Sequence, residues 1–224
     1  MDALPDLDDR LKVQELRAGF LKYSREAYAL LPAMDRPRIL DLGCGSGPAT
    51  IELAKLSESE VFGADTDEEA LEELRRRVEE AGFGHRVKAV EASLFDLDFV
   101  NESFDLVWEE GVLHLLDAAK GVRACRNLLN ANGLLVMHET VAWFEAIRAQ
   151  LPAVGFRIVN EYLLPKGCWW TDYYAPLEDR IRLLREERGR DVTSEKLAQH
   201  EREIAMVKAD PARFDCGFFI LQKS

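Results

Sequence analysis

The sequence has 224 residues, of which 47% are hydrophobic and 31% are charged, and its formal net charge at pH 7 is -12. An acidic chain of this length favours one well-buried domain and excludes nucleic-acid binding through a basic face, since that binding depends on Lys and Arg neutralising phosphates. No stretch reaches the roughly 20 apolar residues of a membrane helix, and the acidic start "MDALPDLDDR" is unlike a signal peptide, so we expect a soluble cytoplasmic protein.

The first segment with a clear hydrophobic period is residues 7–31. Its apolar residues recur at helical spacing, which predicts one or two helices ending before Pro32. The positions that form this period are Leu7, Leu11, Leu16, Phe20, Tyr23, Ala27 and Leu30.

From residue 38 onward, short apolar runs alternate with amphipathic stretches. The predicted strands are "RILDLGC" (38–44), "VFGAD" (61–65), "VKAVEAS" (87–93), "FDLVWEE" (104–110), "LLVMHETV" (134–141) and "RIVNEYLL" (157–164). The predicted helices between them are 48–57, 67–82, 117–133 and 143–155. Strands that alternate with helices of this length indicate an α/β fold with a mostly parallel sheet buried on both faces. The last apolar run, "GFFILQKS", must find a slot in the same sheet.

Residues 166–215 differ in character from the alternating region. They begin with the aromatic cluster "CWWTDYYAP" and continue with two charged helical stretches, the second of which Thr193 or Ser194 can cap. We interpret this segment as a helical insertion. The predicted organisation is one domain over 1–224, with N-terminal helices (1–36), a cofactor-binding core (37–165), the insertion (166–215) and a final strand (216–224).

The most informative motif is "ILDLGCGSGPAT", residues 39–50, in which Gly43, Gly45 and Gly47 lie between a predicted strand and a predicted helix. Glycines at such a corner let a ligand approach the backbone, and the free N–H groups of the helix start point at an electron-rich group. Dinucleotides and S-adenosylmethionine both suit this arrangement. The third glycine falls one residue earlier than in the dinucleotide fingerprint, which favours the smaller amino-acid moiety of S-adenosylmethionine.

The motif "LDLGCGSG" resembles the first motif of the class I S-adenosylmethionine-dependent methyltransferases. Further segments are similar in order: "VFGADTD", "VEASLFDLDF" with "ESFDLVWEEGVLHLL", and "ANGLLVMHE". The resemblance extends from about residue 38 to the end of the chain, and within the family it is nearest to small-molecule enzymes of the ubiquinone and menaquinone biosynthesis type. It implies a seven-stranded, mostly parallel doubly wound sheet of the Rossmann-like methyltransferase type, whose antiparallel last strand lies between strands five and six.

The resemblance also implies S-adenosylmethionine as the methyl donor, with S-adenosylhomocysteine as product. Asp41 would stabilise the turn that contains Gly43, Gly45 and Gly47, called the glycine corner below. Asp65 would accept the ribose hydroxyls, and Ser93 and Leu94 would flank the adenine. Ser93 stands where many members carry an acid, and Asp96 nearby could substitute. The full set of expected cofactor-binding residues is Asp41, Gly43, Cys44, Gly45, Gly47, Asp65, Thr66, Ser93, Leu94 and Glu109.

No metal is expected, because the sulfonium methyl group is already activated and the four cysteines form no CxxC pair. The protein therefore mainly aligns the donor with a small-molecule acceptor for in-line displacement. A hydroxyl or amine acceptor also needs a base. The candidate catalytic residues are Glu110, His114, Glu139 and Tyr173, with His138 and Tyr174 as further candidates.

Structural interpretations compete with the catalytic ones. The His114 ring can simply pack on its apolar neighbours, and the aromatic residues from Trp169 to Tyr174 can seat the insertion instead of lining an acceptor pocket. Two other functions stay open, an NAD-dependent oxidoreductase on a similar fold and a non-catalytic methyltransferase-like binding protein. We expect a small molecule as partner, with no nucleic acid and no membrane, and the sequence gives no indication of a homo-oligomer.

Overall fold

A computed structural model of the chain describes residues 7–93, 101–115, 117–188 and 195–224. These residues form two compact units. The sheet unit contains Tyr23–Leu163 and Cys216–Ser224, and the helical unit contains the described parts of Met1–Lys22 and Leu164–Asp215. The first residues of the chain thus cluster with the predicted insertion, and the organisation into one domain stays a prediction.

Seven strands of the described chain form one sheet with the order β3-β2-β1-β4-β5-β7-β6. Their bounds are β1 Ile39–Leu42, β2 Val61–Asp65, β3 Val87–Glu91, β4 Phe104–Glu110, β5 Leu129–Thr140, β6 Phe156–Leu163 and β7 Cys216–Lys223. Strands β1 to β5 pair in parallel, whereas β7 runs antiparallel to both β5 and β6. The predicted fold class and the predicted slot of the last strand are therefore confirmed.

The crossover helices begin where the sequence supplies caps. The helices with residues in the sheet unit are α3 (Leu21–Ala29), α4 (Pro48–Leu56), α5 (Glu68–Glu80), α6 (Ala118–Leu128) and α7 (Val141–Arg148). Asp67, Asp117 and Thr140 each accept a backbone N–H of the helix that follows, and Pro48 lies in the first turn of α4.

The boundary between α6 and β5 differs from the prediction. We expected a helix to Gly133, but α6 ends at Leu128 and β5 begins at Leu129. Leu129 is fully buried and pairs with Phe104 of β4, so burial in the sheet outweighs the helical pattern of this segment. Asn132 then adopts a positive φ of 62°, which Asn tolerates better than most residues.

The sheet core is almost entirely apolar. Trp108, Phe104, Phe144 and Phe219 are fully buried, and the rings of Phe144 and Phe219 stack with centroids 3.6 Å apart. Burying such side chains contributes about 1.5–3 kcal/mol each, and Phe104, Phe144 and Phe219 belong to one hydrophobic cluster that joins β4, α7 and β7.

The helical unit has its own small core. It contains α1 (Leu7–Arg10), α2 (Val13–Ala18), α8 (Ala175–Arg188), α9 (Glu195–Ala209) and a π-helical turn (Trp170–Tyr174). The apolar faces of α8 and α9 are buried, at Leu177, Ile181, Leu184, Leu197, Ile204 and Val207. The candidate caps Thr193 and Ser194 lie outside the described residues. In the part of the chain that the structure describes, each helix is too short or too polar to span a membrane.

We predict that Phe219→Ala lowers the free energy of unfolding by about 3–5 kcal/mol, because it removes a fully buried ring that stacks on Phe144. Val159→Ala, at an exposed position of the edge strand β6, should cost less than about 1 kcal/mol. Chemical denaturation of both variants measures the difference, and equal losses would show that this stack does not hold the sheet together.

Candidate active site

The glycine corner connects the end of β1 to the start of α4. All three glycines have positive φ, at 66° for Gly43, 51° for Gly45 and 78° for Gly47. A Cβ on Gly43 would lie 2.1 Å from Val112, and one on Gly47 would lie 2.0 Å from Leu74, so these two glycines are needed for packing. A Cβ on Gly45 would meet no atom within 4 Å. Gly45 is therefore the glycine of this corner with open space beside it.

Asp65, at the end of β2, lies directly beside the glycine corner. Its Oδ2 accepts the N–H of Gly45 at 2.7 Å, and its Oδ1 accepts the N–H groups of Thr66 at 2.7 Å and Asp67 at 3.0 Å. Three backbone donors thus fix the orientation of the carboxylate, and Oδ2 has capacity for a second bond. The two places where the sequence predicts contacts with one ligand are neighbours in the fold.

Asp41 lies beneath this corner and is buried. Its Oδ2 accepts a bond from the Thr50 hydroxyl at 2.6 Å, which ties β1 to the first half of α4. Burial raises the pKa of Asp41 to about 8, and repulsion from Glu110 and Asp65 adds to the effect. The carboxyl is enclosed, so it can act on a ligand only through the backbone that it holds in place.

Glu110 ends β4 at the same edge of the sheet. Its Oε1 accepts the Ser24 hydroxyl at 2.7 Å and the Trp108 indole N–H at 2.9 Å. Burial raises the pKa of Glu110, while these two donors oppose the shift. Because Ser24 belongs to α3, the carboxylate links the N-terminal part of the sheet unit to β4.

His114 and Glu139 form a pair. Glu139 ends β5 and is buried; its Oε1 accepts the backbone N–H of His114 at 2.9 Å, and its Oε2 lies 3.1 Å from Nδ1 of the same residue. An ionised carboxylate only accepts hydrogen bonds, so Nδ1 carries the proton in this pair. The His114 side chain is 46% exposed, which leaves Nε2 as the free basic nitrogen of the ring.

Comparisons with known proteins agree with this geometry. Residues 39–133 match a family described as a methyltransferase domain. The chain is 33% identical to the ubiquinone biosynthesis O-methyltransferase of Methylocella silvestris, over 69% of this chain and 58% of that protein. It is 28% identical to the 27-O-demethylrifamycin SV methyltransferase of Amycolatopsis mediterranei, over 70% and 65% of the two chains. The chain is therefore similar to methyltransferases both in the domain match and in its relatives.

A solved structure extends the likeness in fold to the whole chain. The methyltransferase of Thiobacillus denitrificans, in complex with S-adenosylhomocysteine, superposes with a TM-score of 0.70 at 20% identity and covers 100% of both chains. The chain spans between 25% and 65% of the length of the first curated relatives that it matches.

The remaining predicted cofactor residues that the structure describes lie around the same edge. Cys44 is buried, and burial raises the pKa of its thiol, so its backbone is the part available near the corner. Thr66 is exposed, and Ser93 is half-buried just beyond the end of β3. Leu94 and Asp96 lie outside the described residues. Glu109 is at the edge by position, but its side chain is fully enclosed.

His138 and Tyr173 lie in packed surroundings. The His138 ring stacks on Phe218 at 4.6 Å, its Nε2 lies 3.3 Å from the Cys216 sulfur, and burial lowers its pKa to about 4. Tyr173 is buried in the helical unit and meets the rings of Trp169 and Tyr174 edge to face.

The Tyr174 ring also belongs to this aromatic cluster of the helical unit, and burial raises the pKa of its hydroxyl to about 12. A phenol that keeps its proton to so high a pH is a poor base near neutrality. Catalytic roles for Tyr173 and Tyr174 stay predictions.

Sequence reasoning missed the partners that hold the predicted acids. Thr50 could have been found, because a polar residue on the buried face of α4 requires a hydrogen-bond partner. Ser24 carries no such signal, since it lies 86 residues from Glu110 along the chain. The pairing of His114 with Glu139 was within reach, because both follow neighbouring parallel strands and must meet at the carboxyl edge.

We predict that Thr50→Val lowers the free energy of unfolding by about 1–3 kcal/mol, because Asp41 then loses its buried donor. The loss should grow as the pH rises through about 8, since the bond stabilises the ionised carboxylate more than the neutral acid. Thr50→Ser, which keeps the hydroxyl, should stay within about 1 kcal/mol of the wild type. Denaturation at several pH values measures both, and a loss independent of pH would contradict this assignment.

Proposed function

We propose that this protein transfers a methyl group from S-adenosylmethionine to a small-molecule acceptor. The observation that carries the proposal is the contact between Gly45, which has open space beside it, and Asp65, whose carboxylate has a free acceptor position. One adenosyl sulfonium can lie against both, with its amino-acid end at the glycine corner and its ribose at the carboxylate.

The residues at this edge fit that cofactor. Gly45 offers a cradle that a side chain would fill, Asp65 is held in position by three backbone N–H groups, and Ser93 stands near the end of β3, where the adenine would lie. When bound, the cofactor supplies a methyl group on a positively charged sulfur, which is a ready leaving group. The chain itself then has to orient the acceptor and receive its proton.

The charge of the edge also suits a cationic donor. The four segments that end β1, β2, β4 and β5, residues 41–47, 64–66, 108–115 and 137–141, contain five acidic residues and no Lys or Arg. Burial raises the pKa of Asp41 to about 8 and that of Glu109 well above its ordinary range, so the negative charge lies on Asp65, Glu110 and Glu139. Arg77 reaches the corner from α5, and its guanidinium donates to the Ser46 carbonyl at 3.0 Å and the Ser46 hydroxyl at 3.3 Å. An excess of negative charge attracts a sulfonium and disfavours an anionic ligand.

The pair of His114 and Glu139 supplies the proton acceptor. Glu139 holds Nδ1 of the ring at 3.1 Å, so the exposed Nε2 can accept a proton from a hydroxyl or amine while the carboxylate stabilises the resulting imidazolium. The relatives named for ubiquinone biosynthesis and for 27-O-demethylrifamycin SV support a small acceptor of this kind. Neither the comparisons nor the short glycine spacing supports the alternative of an NAD-dependent oxidoreductase.

We predict that Asp65→Asn weakens the binding of S-adenosylmethionine at least tenfold in isothermal titration calorimetry. The charge-assisted bonds of the carboxylate to ribose hydroxyls are worth about 1.5–3 kcal/mol each, and about 1.4 kcal/mol corresponds to tenfold. The amide keeps one oxygen for Thr66 and Asp67, so the turn after β2 should persist.

Asp67→Asn is the matched control, because Asp67 is exposed and its cap on α5 survives in the amide. Its affinity should equal that of the wild type. If Asp65→Asn folds and binds the donor as tightly as the wild type, Asp65 does not hold the ribose.

We predict that His114→Ala lowers the rate of methyl transfer by about 10²–10⁴-fold, since it removes the proposed general base. The rate can be followed as label passing from radiolabelled S-adenosylmethionine into components of a metabolite extract. Donor affinity should be unchanged. His85→Ala, at an exposed histidine far along the chain from this pair, should leave both quantities unaltered, and a fully active His114→Ala would rule the base out.

A further inference from the structure

Glu109 is the most completely enclosed acid at the edge where β4 ends. Its side chain has no exposed surface. Its Oε2 accepts the N–H of Val112 at 3.0 Å and lies 3.4 Å from the N of Leu113 as a second, longer bond. Its Oε1 is buried and has no hydrogen-bond donor among the residues that the structure describes. Such an oxygen requires an explanation, because an unsatisfied buried acceptor is costly and a buried charge is costlier still.

The turn that Glu109 holds is the turn that carries His114. After β4 the chain reverses at Gly111, with φ 78°, and enters a short 3₁₀ helix over Leu113–Leu115. The next N–H along the chain, that of His114, is accepted by Glu139. Three successive N–H groups of the turn therefore point at carboxyl groups from two neighbouring strands, Glu109 of β4 and Glu139 of β5.

The surroundings of Glu139 favour the ionised form more than those of Glu109 do. Burial raises the pKa of Glu139 as well, but two donors of His114, the backbone N–H and Nδ1 of the ring, oppose the shift and favour its ionised form. Glu109 is deeper, and burial raises its pKa well above the ordinary range, with repulsion from Glu139 adding to the effect. Glu110 on the same strand also repels it, and Cys125 of α6 faces it as a thiol whose own pKa is raised by burial.

We propose that Glu109 is a positioning residue of the site, a neutral carboxylic acid that holds the turn over residues 112–114 so that the His114 ring stays against the charged Glu139. A proton on Oε1 removes the need for an ionic partner at the oxygen that lacks one. The charge of the pair then stays on Glu139, where it keeps the proton on Nδ1 of His114. The catalytic consequence rests on the proposed function, but the protonation state of Glu109 does not.

The protonation state can be tested by stability. A carboxyl that keeps its proton in the folded protein and loses it in the unfolded chain, whose Glu pKa is about 4.3, makes folding less favourable as the pH rises. Glu109→Gln keeps an oxygen for Val112 and Leu113 but cannot titrate. The stability of this variant relative to the wild type should therefore increase steadily with pH above about 4.3. If the two proteins show the same pH dependence, Glu109 is ionised in the folded protein and the proposal is overturned.

The positioning role needs a variant that lacks the acceptor. Glu109→Leu keeps the approximate size and apolar surroundings of the side chain but cannot bind the turn. Hydrogen exchange at the amides of Val112, Leu113 and His114, measured by NMR, should be at least tenfold faster in Glu109→Leu than in the wild type. Glu109→Gln should restore the protection. Equal protection in all three proteins would show that the turn does not depend on Glu109.

Activity then separates positioning from mere stability. With labelled S-adenosylmethionine and a metabolite extract, Glu109→Leu should lose at least tenfold in transfer rate at unchanged donor affinity, and Glu109→Gln should recover it. A fully active Glu109→Leu, or a Glu109→Gln as impaired as Glu109→Leu, overturns the proposal. If the wild type does not bind the donor in calorimetry, the proposed function fails, while the stability and exchange measurements on Glu109 still give their answer.

Discussion

The arrangement of β1 between two parallel neighbours is the constraint on which the site depends. Because β1 pairs with β2 on one side and β4 on the other, the carboxyl ends of three strands converge at the point where the strand order reverses. The glycine corner, Asp65 and the turn after β4 then become neighbours without any long connection. The hydrogen bond from the Gly45 N–H to the Asp65 carboxylate joins the ends of β1 and β2 at this point.

Burial of acids is the second theme of the structure. Asp41, Glu109, Glu110 and Glu139 all lie at one edge of the sheet, and burial raises the pKa of each of them. Their donors are nearly all neutral, supplied by backbone N–H groups, the hydroxyls of Thr50 and Ser24, an indole and an imidazole. Among the described residues, these acids are therefore held mainly by hydrogen bonds from uncharged donors, and Asp65 keeps an acceptor position for a positively charged donor molecule.

Much of this could be read from the sequence, because the informative patterns are local. The alternation of strands and helices, the glycine corner and the acid at the end of β2 each lie within a short stretch, and parallel topology fixes where they meet. Some partners of the buried acids could not be read in the same way. Ser24 and Glu110 meet only through the packing of α3, and α6 ended early because Leu129 found a partner in β4. Such outcomes depend on tertiary burial, which no local pattern encodes.

A crystal structure of this protein with S-adenosylhomocysteine is the most direct test of the central claim that one cofactor spans the corner and the carboxylate. The account predicts that the ribose hydroxyls bind the Asp65 carboxylate and that the amino-acid end lies against Gly45. A ligand bound elsewhere in the fold, or one that contacts only one of these two residues, would contradict it.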